Sequence, residues 1–132
     1  ILKFNEFGFD ERLMEGIDAI NYENATPVQE KVIPLVLEGK DLIASAQTGT
    51  GKTAAFLLPV MNRLLNNHVD GHTGALIVVP TRELAIQVGE AAAEYAKRLD
   101  LWVGVIYGGT PLPAVPADSG DGWISPAFAG MW

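Results

Sequence analysis

The sequence contains no cysteine. That excludes disulfides, thiolate metal sites and a cysteine nucleophile. No apolar run approaches the roughly 18–20 residues of a membrane span. The N-terminus lacks the basic-then-apolar pattern of a secretory signal. A soluble, cytoplasmic protein without membrane partners is the expectation. Basic residues are few, 9 Lys and Arg against 16 Asp and Glu, and the net charge is −7. That balance argues against a surface that binds nucleic acid all over. It leaves room for a local site that grips a few phosphates through backbone amides. What is present is apolar material, 48% of 132 residues, enough for a packed core. The length suits one domain. The chain begins at Ile1 and not at Met, which points to a trimmed sequence.

Apolar residues Leu13, Met14, Ile17 and Ile20 recur at helical spacing, with Asp10 as N-cap. Thr26 and Pro27 read as a second helix start and Gly39 as its stop, with Pro34 set to kink or divide it. "DLIASA", 41–46, reads as a buried parallel strand. A Gly-rich loop follows, then a helix from Lys52 that carries Pro59. "HVDGHTG" reads as a loop, and its His68 and His72 as solvated residues. "ALIVVP" reads as a second buried strand, "TRELAIQVGEAAAEYAKRL" as a long helix, and "LWVGVIYGG" as a third strand. Trp102, near the start of that strand, is expected to pack in the core or at an edge. Strands alternating with helices imply an α/β fold, a parallel sheet flanked by helices. After Gly109 the composition changes. Residues 110–132 hold four of the chain's 8 Pro and two of its 3 Trp, without Lys or Arg. No helical or strand period is visible there, so 1–109 and 110–132 are expected to be a domain and a Pro/Gly/Ala-rich tail.

The chemistry concentrates at Ala46, Gln47, Thr48, Gly49, Thr50, Gly51, Lys52 and Thr53. Glycines let backbone N–H groups converge on phosphate oxygens. The helix that follows adds the positive end of its dipole. Lys52 can reach β- and γ-phosphates, and the Thr53 hydroxyl can ligate Mg²⁺. An ordinary Gly-rich strand-to-helix turn is the plainer alternative. Ala46 stands where the general phosphate-loop pattern has its first glycine.

That variant, Ala-x-Thr-Gly-x-Gly-Lys-Thr, resembles the form used by DEAD-box ATP-dependent RNA helicases. "NYENATPVQ", 21–29, is similar to the family's Q motif. Tyr22, Thr26, Pro27 and Gln29 fit; Asn21, Ala25 and Val28 depart from it. Phe4 lies at the spacing of that motif's upstream aromatic. "PTRELAIQ", 80–87, matches motif Ia, and "YGG", 107–109, resembles the GG motif. The resemblance covers about residues 4–109. It implies the first part of a RecA-like P-loop domain, here truncated, with three strands readable, and ATP or ADP with Mg²⁺ as cofactors. It implies an adenine-nucleotide site made by Phe4, Tyr22, Thr26, Gln29 and the loop 46–53, with Tyr22 on the adenine ring and Gln29 on its edge. It also implies RNA-backbone contacts by Pro80, Thr81, Arg82, Gly108 and Gly109. The plainer readings are a helix-flanking Tyr22, a solvated Gln29, and an Arg82 paired with a carboxylate.

The family's TPGR-like, Asp-Glu-Ala-Asp and Ser-Ala-Thr motifs, and its second domain, do not follow Thr110. Asp118 and Asp121 sit in a loop-like stretch. Phosphoryl transfer needs Mg²⁺ held from both sides, an oriented water and positive charge on the transition state. The expectation is a nucleotide-binding fragment that is catalytically inactive alone and touches RNA weakly. Open sheet edges invite pairing, so the tail, a second copy of the chain, or both are expected to cover them. Trp123, Ile124, Phe128, Met131 and Trp132 are the apolar groups available. A non-catalytic protein that self-associates or contacts RNA is the alternative. An intact small P-loop kinase fits less well, because no Arg cluster or acidic Mg²⁺ ligand follows the loop.

Overall fold

Helix ends decide much of this architecture. In the computed structural model, which describes residues 1–45, 51–67, 74–99, 101–106 and 123–128, Asp10 opens helix α1 (Glu11–Ala19) by accepting from the Arg12 N–H. At its other end Asn21 takes φ 60°, its N–H donates to the Asp18 carbonyl, and the Tyr22 N–H donates to Ile17. This is a Schellman closure with asparagine in the left-handed position. Helix α2 (Pro27–Leu37) closes the same way on Gly39, φ 80°. There Gly39 donates to Val36 and Lys40 to Leu35.

The chain forms two compact units, Ile1–Arg63 and Leu64–Trp132. The first holds α1, α2 and most of α3 (Lys52–Asn66). Its core is Leu13, Ile17, Ile33, Leu57, Leu58 and Met61, all essentially without solvent contact. Asn62 is buried beside them, and its Oδ1 accepts from the Asp10 N–H at 2.7 Å. That bond ties α3 to the start of α1. Pro34 does not divide α2, which runs continuously through it. Pro34 stands one turn before the end, so only one ladder bond near the terminus is lost.

The second unit is a three-stranded parallel sheet, ordered β1 (Ala75–Val79), β3 (Trp123–Phe128), β2 (Trp102–Val103). Helix α4 (Arg82–Tyr95) packs on all three strands. It buries Ala85, Val88, Gly89, Ala92 and Tyr95, one stripe of its surface. A Cβ on Gly89 would lie 2.3 Å from Cγ2 of Val105, so glycine permits the close approach of α4. A 3₁₀ turn, Ala96–Arg98, ends the helix.

Four strand expectations change. Residues 41–45 carry no strand, and Ile43 is fully exposed. A short apolar run becomes a strand only where a neighbour pairs with it. The strand 101–109 shortens to Trp102 and Val103 within the described residues. The tail, expected to lack periodicity, supplies the central strand β3. Its register runs from Ala75↔Ile124 to Val79↔Phe128. The pairing with β2 joins Trp102 to Trp123 and Val103 to Ile124, and Pro126 stands opposite Ile77 of β1. Nor is β1 buried on both faces: Leu76 is 63% and Val78 60% exposed. Residues 46–50, His68, His72, Gly108, Gly109, Asp118, Asp121, Met131 and Trp132 lie outside the described residues.

Candidate functional site

The Q-like segment is held from two sides. Ahead of it, residues 2–4 pair with 23–25. The Ala25 N–H donates to Leu2, the Phe4 N–H to Glu23, and Lys3 bridges antiparallel to Asn24. The Leu2 N–H donates to Oε1 of Glu30 at 2.6 Å. This pairing lays the Phe4 ring on Tyr22, centroids 5.6 Å apart and 29° between planes. Phe4 is 2% exposed and Tyr22 37%. Tyr22 therefore has one ring face backed by Phe4 and remains partly open.

Behind the segment, Thr26 and Gln29 form a capping box at the start of α2. Thr26 Oγ1 accepts from the Gln29 N–H, and Gln29 Oε1 accepts from the Thr26 N–H at 2.8 Å. The other end of the same amide donates from Nε2 to the Gly51 carbonyl at 3.1 Å. Gln29 is 3% exposed, so its amide is a fixed, buried group and not a solvated first-turn residue. Gly51 has φ 82°, and a Cβ there would lie 2.3 Å from Gln29 Nε2. Glycine is needed at Gly51 for both reasons.

Phe4, Tyr22, Thr26, Gln29 and Gly51 line one open pocket of about 530 Å³. Asn21, Glu23 and Asn24 also line it and are exposed. Asn21 was not among the site residues read from the sequence. Its signal was its place where the Q motif has glycine, since asparagine is the side chain that best tolerates a left-handed backbone.

Directly after Gly51, Lys52 and Thr53 begin α3. Lys52 is exposed and Thr53 half-buried. The first helical bond runs from the Ala55 N–H to the Gly51 carbonyl. The N–H groups before Ala55 thus have no partner within the helix, which is the anion-binding property of a helix start. Thr53 offers one hard oxygen donor, suited to a Mg²⁺ ion that keeps several waters. Among the described residues no group of three His, Cys, Asp or Glu side chains converges to add a second set of ligands.

In the second unit, Pro80, Thr81 and Arg82 follow β1 and are all exposed. Thr81 is the N-cap of α4, its Oγ1 accepting from the Leu84 N–H at 3.1 Å. The hydroxyl proton of Thr81 is not used by that bond. Among the described residues, Asp10 is a titratable group whose environment clearly acts on it. Side-chain and backbone hydrogen bonds from Arg12 hold its carboxyl below the usual aspartate range. It braces α1 and does not line the pocket. No helix among the described residues is long and apolar enough to cross a membrane.

Known proteins are similar to this chain in sequence and fold. The ATP-dependent RNA helicase CshA of Listeria monocytogenes is 49% identical over 110 residues, which cover 83% of this chain and 21% of that protein. The DEAD-box ATP-dependent RNA helicase RhpA of Helicobacter pylori is 44% identical over 106 residues, 80% of this chain and 21% of RhpA. The chain thus spans about a fifth of the length of these relatives. The RNA helicase Prp28 from Chaetomium thermophilum, solved bound to ADP, superposes with a TM-score of 0.82 at 35% identity, over 96% of this chain and 32% of that one. A hypothetical ATP-dependent RNA helicase from Sulfolobus tokodaii gives 0.75 at 32% identity, over 92% and 34%. The fold is RecA-like, and the family model for DEAD/DEAH box helicase matches residues 26–118. The chain belongs to the DEAD/DEAH box helicase family.

Proposed function

We propose that this chain is the adenine-nucleotide-binding part of an ATP-dependent RNA helicase, active in the cytoplasm, with a portion of the RNA-backbone path. The observation that carries the reading is the Gln29 amide, buried in the pocket and fixed at both ends by Thr26 and Gly51. A fixed amide keeps one lone pair on Oε1 and one N–H on Nε2 for a ligand. Adenine offers N6–H as donor and N7 as acceptor, whereas guanine offers two acceptors at the same edge. The base stacks on the open face of Tyr22, with Phe4 holding the ring from behind. Phosphates follow toward the start of α3, where backbone amides of 46–53 and the Lys52 ammonium receive them. Thr53 holds Mg²⁺, which neutralises phosphate charge when bound.

Thr81 and Arg82, with Pro80, Gly108 and Gly109, serve the sugar–phosphate backbone of RNA without reading its sequence. The chain binds nucleotide but does not hydrolyse it alone: phosphoryl transfer needs Mg²⁺ held from both sides, and among the described residues no carboxylate cluster adds the second set of ligands. Within the tail, Trp123–Phe128 serve the fold as strand β3. The exposed Leu76 and Val78 favour a second reading, self-association without use of nucleotide. Calorimetric titration with Mg-ADP, with Lys52→Ala alongside, separates the two. Saturable binding that the variant loses is the expected result. A folded wild-type chain with no binding heat, which forms dimers in light scattering, would replace the first reading by the second.

A further inference from the structure

We propose that Asn21 is an additional nucleoside contact of this pocket, its side-chain amide meeting the sugar edge of the bound adenosine. The amide N–H donates to N3 of the base, and the amide oxygen accepts from the ribose 2′-hydroxyl. The inference rests on the nucleotide reading above and adds a residue to it.

Asn21 occupies the left-handed position of the closure of α1, at φ 60°. Glycine fills that position without steric cost and is the usual choice. A side chain kept there is not required by the backbone. Asn21 lines the pocket and is exposed. Among the described residues its amide has no hydrogen-bond partner, unlike the amides of Gln29 and Asn62. Gln29, which also lines the pocket, is buried. A base whose N6 and N7 face Gln29 turns its N3, and the sugar with it, to the exposed side where Asn21 stands. One donor beside one acceptor is what the N3 and 2′-hydroxyl pair requires, and an amide provides both. Tyr22, the next residue, carries the base, so the two contacts lie within one residue of each other in the chain.

The test uses the full chain, wild type and Asn21→Gly, titrated calorimetrically with ADP and with 2′-deoxy-ADP. Glycine suits φ 60°, so the variant folds, and its thermal melt stays at or above that of wild type. Wild type is expected to bind ADP about three- to tenfold tighter than 2′-deoxy-ADP, the range of one or two net hydrogen bonds. Asn21→Gly is expected to bind ADP weaker by about the same factor and to treat the two nucleotides alike. Its preference for ADP over GDP, set by Gln29, is unchanged. Two outcomes overturn the inference while leaving the nucleotide site intact: equal ADP affinity in variant and wild type, or a variant that still prefers the ribose form. Absence of ADP binding by wild type removes the site and the inference together.

Discussion

The two units of this chain are organised by different kinds of bond. In Ile1–Arg63, contacts over short stretches fix the helix ends: the side chains of Asp10 at one start and of Thr26 and Gln29 at another, and the left-handed backbones of Asn21 and Gly39 at the two stops. In Leu64–Trp132, strands far apart in sequence pair to make the sheet, and Ala75 lies beside Ile124. The first unit places a pocket through local rules. The second depends on a partner strand that local rules do not name. One consequence is burial: the first unit seals side chains such as Leu13, Ile33 and Met61 from water, and β1 leaves Leu76 and Val78 largely exposed.

The sharpest way to break this contrast is to cut equal volumes from both regions. Ile33→Ala empties a sealed site and is expected to cost about 2–5 kcal/mol. Leu76→Ala removes an exposed side chain and is expected to stay within about 0.5 kcal/mol. Urea denaturation of both variants measures the difference, and equal costs would mean that the β1 face is covered in solution.

A smaller effect tests the tight approach of α4. Gly89→Ala brings a methyl against Val105, and overpacking of this kind costs about 1–3 kcal/mol, less the helix-propensity gain of about 1 kcal/mol. Val105→Ala in the same chain is expected to recover the clash term. A double variant less stable than both single ones would show that the helix does not lie that close.

Removal of the Thr26 cap is expected to cost about 1 kcal/mol and to loosen Gln29 with it. Thermal melts of Thr26→Ala and Thr26→Ser separate the cap from the methyl group. Serine is expected to retain most of the stability, and serine as damaging as alanine would count against the capping box.

The smallest effect is pH-dependent. Asp10 has a folded-state pKa below its unfolded value, through its hydrogen bonds with Arg12. Its contribution is therefore present above the unfolded aspartate pKa and is lost as pH falls through the folded one. Wild type and Asp10→Asn are expected to differ most near neutral pH and to converge on acidification. A gap that widens in acid would reverse the sign and refute the assignment.

These cases also show what was legible in the sequence. Asp10, Thr26 with Pro27, and Gly39 marked helix ends correctly because capping is decided within a few residues. The helix start at Lys52 and Thr53 was legible for the same reason. The pocket residues Phe4, Tyr22, Thr26, Gln29 and Gly51 were named from motif spacing, and the structure brings them around one cavity. The bond from Gln29 to Gly51 was not legible, since it joins residues 22 apart in sequence. Asn21 was read as a mild departure, although its left-handed backbone makes it the hinge between α1 and Tyr22. The strand expected at 41–46 is absent over 41–45, because an apolar run specifies a strand only together with its neighbour. β3 was missed because "WISPAF" carries a proline and alternates poorly, and its pairing with Ala75 and Trp102 is set by topology alone.

The central claim is that Gln29 makes the pocket selective for adenine. Competition of ADP and GDP for the purified chain, with and without Gln29→Ala, tests it most directly. The account predicts that wild type prefers ADP by at least about tenfold and that the variant loses the preference, as expected when a fixed donor–acceptor pair is removed. A wild-type chain that binds ADP and GDP equally, or a variant that keeps the full preference, would contradict it.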